Sequence, residues 1–253
     1  MKPLLRWIGL VLLALLALQL FFALRIAAMA AIAPESTGFQ RSEAWVQWAD
    51  TGTVRWRQQW VPYTQISDHL KRAVITAEDD SFVNHDGVDW NAIEKAWERN
   101  ALAEAQAARQ EAARPAKPRA PAAAARPVRA PKIRGGSTIT QQLAKNLLLS
   151  GERTLLRKGQ EFVLTLLLEQ FLTKQRILEI YLNNVEWGAG VFGAEAAAQH
   201  YFRKSAARLA PAEAARLAVM LPAPKRFEKM PGSAYLSGRT RAILRRMGGA
   251  ELP

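Results

Sequence analysis

The distribution of hydrophobic and polar positions changes character several times along the chain. From Trp7 to Leu24, "WIGLVLLALLALQLFFAL" runs eighteen residues without a charge, and apolar character resumes from Ile26 to Ala33. A helix of that length rises roughly 27 Å, close to the hydrocarbon thickness of a bilayer. Residues 44–61, "AWVQWADTGTVRWRQQWV", place Val54, Trp56 and Trp60 on one side of a period of two around a "DTG" turn. That alternation predicts a short hairpin. From Ser67 the period lengthens. Leu70, Ala73, Val74 and Ala77 recur at i, i+3, i+4 and i+7, which predicts an amphipathic helix capped by Ser67 or Asp68 and ending at Glu78.

Residues 101–132, "ALAEAQAARQEAARPAKPRAPAAAARPVRAPK", carry almost no large apolar side chain. Such a run buries too little surface to offset chain entropy, so a disordered basic insert is expected, its first half able to extend the preceding helix. Order restarts at "GGSTITQQLAKNLLLS", where Ser137 or Thr138 can cap a helix with Ile139, Leu143 and Leu147 on one face. "TLLRKGQEFVLTLLLEQFL" predicts a long helix, more a core helix than a second membrane span because Glu161, Glu169 and Gln170 bracket its apolar run. "TKQRILEIYLNN", "GAEAAAQHYF", "APAEAARLAVML" and "SGRTRAILRRM" supply four more. Without strand–helix alternation or internal repeat, the fold class is mainly α.

Composition sharpens this picture. A chain of 253 residues at 49% hydrophobic has ample material for one domain with appendages. Its net charge of +13 points to an anionic partner: nucleic acid, acidic lipid or a phosphorylated substrate. The absence of cysteine removes disulfide scaffolds and thiolate metal sites. Lys2 and Arg6 precede the apolar run, so the N-terminus is expected in the cytoplasm and all that follows residue 33 outside it, which argues against nucleic acid. "AMA" at Ala28–Ala30 also resembles a signal cleavage site, but the run exceeds the usual signal core of about 7–15 residues and a retained anchor is the expectation. The organisation read this way is a cytoplasmic tip and transmembrane anchor at 1–33, a juxtamembrane segment at 34–66 and a globular domain at 67–250.

Candidate chemistry sits at helix ends. Glu78, Asp79 and Asp80 crowd where a helix C-terminus disfavours anions, so like-charge repulsion could raise the pKa of Glu78 as a general base requires; three exposed acids on a turn is the plainer alternative. His85 alone is more readily a loop anchor than a metal ligand, and Asp86 and Asp89 meet no ligand spacing. Glu161 has Arg157 at i−4 and Lys158 at i−3, either a surface ion pair or a carboxylate kept ionised by cations that also bind an anionic substrate. Lys145, Arg153, Arg157 and Lys158, following Ser137, Thr140, Gln141 and Gln142, could clamp a pyrophosphate.

"AEDDSFVNHDGVD", "GGSTITQQLAKN", "RKGQE" and "RILEIYLNNVEWGAGVFGAEAAAQHYF" occur in the order and spacing of the peptidoglycan glycosyltransferases, glycosyltransferase family 51, and the resemblance covers roughly residues 60–230. It implies a lysozyme-like α-helical glycosyltransferase domain with a small jaw lobe between the first two motifs, after one N-terminal transmembrane helix. The implied activity is polymerisation of lipid II into β-1,4-linked glycan outside the cytoplasmic (inner) membrane, with release of undecaprenyl pyrophosphate. By resemblance Glu78 is the base at the acceptor 4-hydroxyl and Glu161 the second carboxylate. Lys145 and Arg153, with Arg157 and Lys158 nearby, match pyrophosphate-binding cations. Ser137, Thr140, Gln141, Gln142 and Asn146 match positions lining the donor site, and Asp79, Phe82, His85 and Gly87 complete the first motif. No cofactor is required on this reading; a divalent cation (Mg or Mn) could sit at the pyrophosphate, or the basic cluster could replace it. The partners implied are lipid II, the growing glycan and cytoplasmic membrane lipids, with cell-division or elongation proteins left open. The chain has no Ser-x-x-Lys followed by Lys-Thr-Gly, so no transpeptidase activity is expected. The alternatives are a glycan-cleaving lytic transglycosylase or lysozyme-like enzyme, and a non-enzymatic membrane-anchored scaffold.

Overall fold

The computed structural model describes residues 2–112, 136–149 and 154–253. Two compact units emerge, one from residues 1–88 with 138–253 and one from residues 89–137. In chain order the first unit holds α1 (Lys2–Ala28), α2 (Gly38–Thr51), β1 (Arg57–Gln58) and α3 (Asp68–Glu78). The second unit holds α4 (Trp90–Ala112). The first resumes with α5 (Ile139–Leu148), α6 (Leu155–Phe171), α7 (Lys174–Asn184), β2 (Glu186–Gly188), β3 (Val191–Phe192), α8 (Ala194–Phe202), α9 (Pro211–Met220), α10 (Pro224–Glu228) and α11 (Ala234–Arg246). The mainly α expectation holds, and the second unit falls between the first two motifs, where the resemblance puts the smaller lobe.

Helix α1 is apolar over Pro3–Ala28, with a mean hydropathy of 2.5 and none of its most apolar stretch buried by protein, as a span facing lipid requires. Its end differs: Ile26 and Met29 enter the core, and Arg176 Nε donates to the Met29 carbonyl (2.8 Å). Two thirds of the way along, Gln19 and Gln160 of α6 exchange amide hydrogen bonds of 2.9 and 3.1 Å. Helix α6 buries Glu161, Leu164, Thr165 and Leu168, yet leaves Leu155, Leu156, Phe162, Val163 and Leu166 exposed. It is therefore a core helix on one face only.

The expected hairpin at 44–61 is replaced by a helix through Thr51. Thr37 Oγ1 accepts the Gln40 N–H (3.0 Å) while Gln40 Oε1 accepts the Thr37 N–H (2.8 Å), a reciprocal cap that starts α2 upstream of the alternating stretch. Gly52, at φ +67°, ends it in the left-handed conformation. Trp45 and Trp48 thus become i, i+3 neighbours with ring centroids 5.2 Å apart rather than members of a strand. Within this stretch only Arg57–Gln58 is extended, pairing parallel with Val191–Phe192, which pairs antiparallel with β2. Gly190 makes the approach possible: at φ +72°, a Cβ there would lie 2.1 Å from the Arg55 carbonyl oxygen.

Helix α3 follows its sequence pattern. Ser67 Oγ accepts the His69 N–H (3.2 Å), and Leu70, Ala73, Val74 and Ile75 are buried, with α9 against α3. Deleting the Leu70 side chain at such a site costs about 2–5 kcal/mol. Helices α5 and α6 pack together nearby, and Trp187, fully buried, donates Nε1 to the Leu217 carbonyl (3.1 Å). In the second unit, Asp89 accepts the Ala92 N–H (2.7 Å) at the start of α4. The first half of the Ala/Pro/Arg run extends the preceding helix through Ala112, as its richness in alanine, a strong helix former, allows. The proline-rich remainder lies outside the described residues.

Candidate active site

The three adjacent acids at the end of α3 take three different fates. Asp79 leaves helical geometry (φ −163°), which turns the chain and separates its neighbours. Asp79 is buried: Oδ2 accepts the Ile139 N–H at the start of α5 (2.9 Å), and Oδ1 lies 2.9 Å from His85 Nε2. His85 Nδ1 accepts the Gly87 N–H (3.1 Å), so Nε2 carries the proton that Asp79 receives as a hydrogen bond. Asp80 points outward to Arg246, an exposed pair of 2.7 Å and of little energetic weight. Glu78 turns inward instead, to Gln142 of α5.

Half-buried Glu78 accepts a hydrogen bond on Oε2 from Gln142 Nε2 (2.9 Å), and Gln142 Oε1 in turn accepts from the Tyr181 hydroxyl (3.0 Å). Burial raises the pKa of Glu78. The Gln142 bond opposes this, Asp79 adds a smaller upward push, and Lys145 pulls down. Like-charge repulsion, the cause expected from adjacency, is thus secondary to desolvation, because Asp79 is engaged elsewhere and Asp80 faces solvent. Tyr181 is fully buried and its pKa is raised well above the ordinary value, so it remains a proton donor to Gln142.

The first-motif loop is held from below. Phe82 is fully buried, with Lys174 Nζ 4.7 Å from its ring centroid. Lys174 donates to the His85 carbonyl (2.5 Å) and pairs with Glu169 (2.8 Å). Thr138 Oγ1 donates to the Gly87 carbonyl (2.6 Å). Gly87, at φ +83°, has no room for a side chain: a Cβ would lie 2.7 Å from Thr165 Cγ2.

A cleft of about 520 Å³ is lined by Gln142, Lys145 and Asn146 of α5, by Arg157 of α6, and by Glu43 of α2 and Glu186 of β2 among others. Arg157 NH1 and Lys158 Nζ meet opposite oxygens of Glu161 at 2.8 and 2.5 Å. Glu161 is 3% exposed, so its two oxygens are spent on holding cations. Arg157 Nε is buried without a hydrogen-bond partner.

Other sequence candidates lie elsewhere. Thr140 is fully buried and donates to Glu169 Oε1 (2.6 Å), while Gln141 completes a capping box with Thr138. Neither lines this cleft; at their helical positions they face α5's buried side. Ser137 belongs to the other unit, and Arg153 lies outside the described residues. Tyr181 and Glu186 escaped the sequence reading, although both sit inside a quoted motif. Among the described residues no group of three or more metal-ligating side chains gathers. In the cleft the carboxylates of Glu43 and Glu186 stand near Lys225, while Lys145 and Arg157 share the lining.

A part-buried carboxylate with a raised pKa beside a cation-lined cleft, in an α-helical unit, is the arrangement in which enzyme sites for anionic substrates are found. A family model described as Transglycosylase matches residues 46–110 and 118–248, breaking within the Ala/Pro/Arg run. The chain is 49% identical to the biosynthetic peptidoglycan transglycosylase of Herminiimonas arsenicoxydans, over 100% of this chain and 99% of that protein. It is 47% identical to the protein of the same name from Paraburkholderia xenovorans LB400, over 98% of this chain and 94% of that one. For Burkholderia orbicola MC0-3 the identity is 48%, over 94% and 86%. The chain belongs to the transglycosylase family.

Proposed function

We propose that the protein is a peptidoglycan glycosyltransferase that polymerises lipid II, with Glu78 as its general base. The observation that carries this reading is the Tyr181–Gln142–Glu78 relay at the edge of the cleft that Lys145 and Arg157 also line. The names of the relatives support glycan synthesis in place of glycan cleavage, and the cationic lining supports a pyrophosphate leaving group. Glu78, as the carboxylate, takes the proton from the acceptor sugar's 4-hydroxyl. That oxygen attacks the anomeric carbon of the growing chain, the bond to the pyrophosphate breaks, and configuration inverts in one displacement. Lys145 and Arg157 receive the charge that develops on the departing pyrophosphate. Glu161 acts as a positioning residue, fixing Arg157 and Lys158 through its two ion pairs. The α1 helix anchors the enzyme, and the positive charges of Lys2 and Arg6 orient the catalytic unit to the outer, periplasmic side of the membrane.

The test is lipid II polymerisation by the full-length protein in detergent beside Glu78→Gln, with glycan resolved on a gel. A ladder from the wild type that disappears in the folded variant is expected. A wild type that leaves lipid II unpolymerised would overturn the reading, and an active Glu78→Gln would remove Glu78 from its role.

A further inference from the structure

Of the two carboxylates lining the cleft, Glu43 and Glu186, the proposed reaction uses neither. Glu186 comes from β2, is 7% exposed, and lines the same cleft as Gln142, Lys145, Asn146 and Arg157. Its Oε1 atom is buried and has no hydrogen-bond partner. Lys225 Nζ stands 3.5 Å from it, near enough to attract and too far to satisfy it. Lys225 is held off by Glu43 of α2, with which it makes the shorter contact. A buried carboxyl oxygen without a well-formed hydrogen bond is costly in a folded protein, and Glu186 lines a space large enough for part of a substrate.

We propose that Glu186 is a saccharide-positioning residue, whose free Oε1 accepts a hydrogen bond from a hydroxyl or amide N–H of the sugar lying in the cleft. Sugars offer such donors in quantity, whereas a pyrophosphate offers none, so a carboxylate among the cations separates the two halves of the substrate along the cleft. Lys225 keeps Glu186 from repelling the anionic end, and Glu43 keeps Lys225 from filling the acceptor itself. The juxtamembrane helix thereby becomes a wall of the site as well as a connection to the anchor. Burial pushes the carboxyl up to about 7, with Lys225 pulling down by charge and hydrogen bonding, Glu43 pushing up and the Gly190 backbone pulling down, so both protonation states are within reach at neutral pH.

This inference rests on the glycosyltransferase reading. Initial rates on lipid II, with full-length wild type, Glu186→Ala and Glu186→Gln in detergent, test it. Loss of the acceptor is expected to raise KM about tenfold, with kcat falling by much less. Gln retains an acceptor oxygen and is expected to recover most of the loss. Where Ala destabilises the fold, Glu186→Leu fills the same space without an acceptor and carries the same comparison. A wild-type KM in the folded Ala or Leu variant, or a fall in kcat alone, overturns the assignment and leaves the glycosyltransferase intact. A wild type inactive on lipid II overturns both.

Discussion

Replacing Gln142 with leucine should move the acid limb of the pH–rate profile to higher pH. The Gln142 amide donates to Glu78 Oε2 at 2.9 Å and is the strongest influence favouring the ionised carboxylate against burial. A hydrogen bond to a charged group contributes about 1.5–3 kcal/mol, and half-burial of Glu78 puts the expectation at the lower end of that range. A base works when deprotonated, so activity rises with pH through its pKa, and a pKa raised further carries the rising limb upward. The assay is kcat/KM for fluorescent lipid II across pH 4–9, which reports the free enzyme. The height of the profile will also fall, because Gln142 lines the cleft, but the position of the limb is independent of its height. Tyr181→Phe keeps the Gln142 amide and removes only the bond that orients it, so a smaller shift in the same direction is expected. A limb that stays in place in Gln142→Leu, or moves to lower pH, refutes the base assignment or the role of Gln142 in tuning it.

Three further outcomes are expected. Asp79→Ala strands two donors, the Ile139 amide and His85 Nε2, and should cost about 2–4 kcal/mol in denaturant unfolding; a loss below about 1 kcal/mol would mean the first-motif loop is held by something else. The Glu186 carboxyl titrates near 7 when folded and near 4.5 when unfolded, so the fold binds its proton more tightly and loses stability as pH rises through that window. Glu186→Gln should therefore gain melting temperature over wild type between pH 5 and pH 8, by the equivalent of about 1–2 kcal/mol after allowance for solvent screening; a constant difference would contradict this. Gly190→Ala should destabilise by about 1–3 kcal/mol in the same melts, since both its positive φ and the Arg55 carbonyl oppose a Cβ.

What the sequence disclosed depended on how far a signal reaches along the chain. The α3 helix was legible because Leu70, Ala73, Val74 and Ala77 are close neighbours in sequence and their spacing alone selects a helix. The hairpin failed because three apolar residues at even spacing are too few to outweigh a capping box seven residues upstream, visible as Thr37 and Gln40 but overlooked. Strands of two or three residues fall below any periodicity, and β1 exists only through its pairing with a segment more than 130 positions away. Glu78 was singled out through its motif, while the cause of its altered acidity was not visible there. Adjacent acids look repulsive in one dimension, and only folding sends Asp79 to His85 and Asp80 to Arg246. Glu186 was hidden for the same reason: Glu43 and Lys225, the residues that define it, lie far from it in the chain.

The paired amides of Gln19 and Gln160 also fix a depth. Gln19 lies nine residues before the end of α1, roughly 14 Å along the helix axis. In any bilayer that α1 crosses, the adjoining flank of α6, with Leu155, Leu156 and Phe162 uncovered, is submerged to a comparable level. Arg157, three residues before Gln160, then lies within roughly 5 Å of that level along α6. On the function proposed above, a substrate carried on a polyprenyl tail need not be lifted out of the leaflet to reach it, and the hydrocarbon's solvation energy is never spent on the way in.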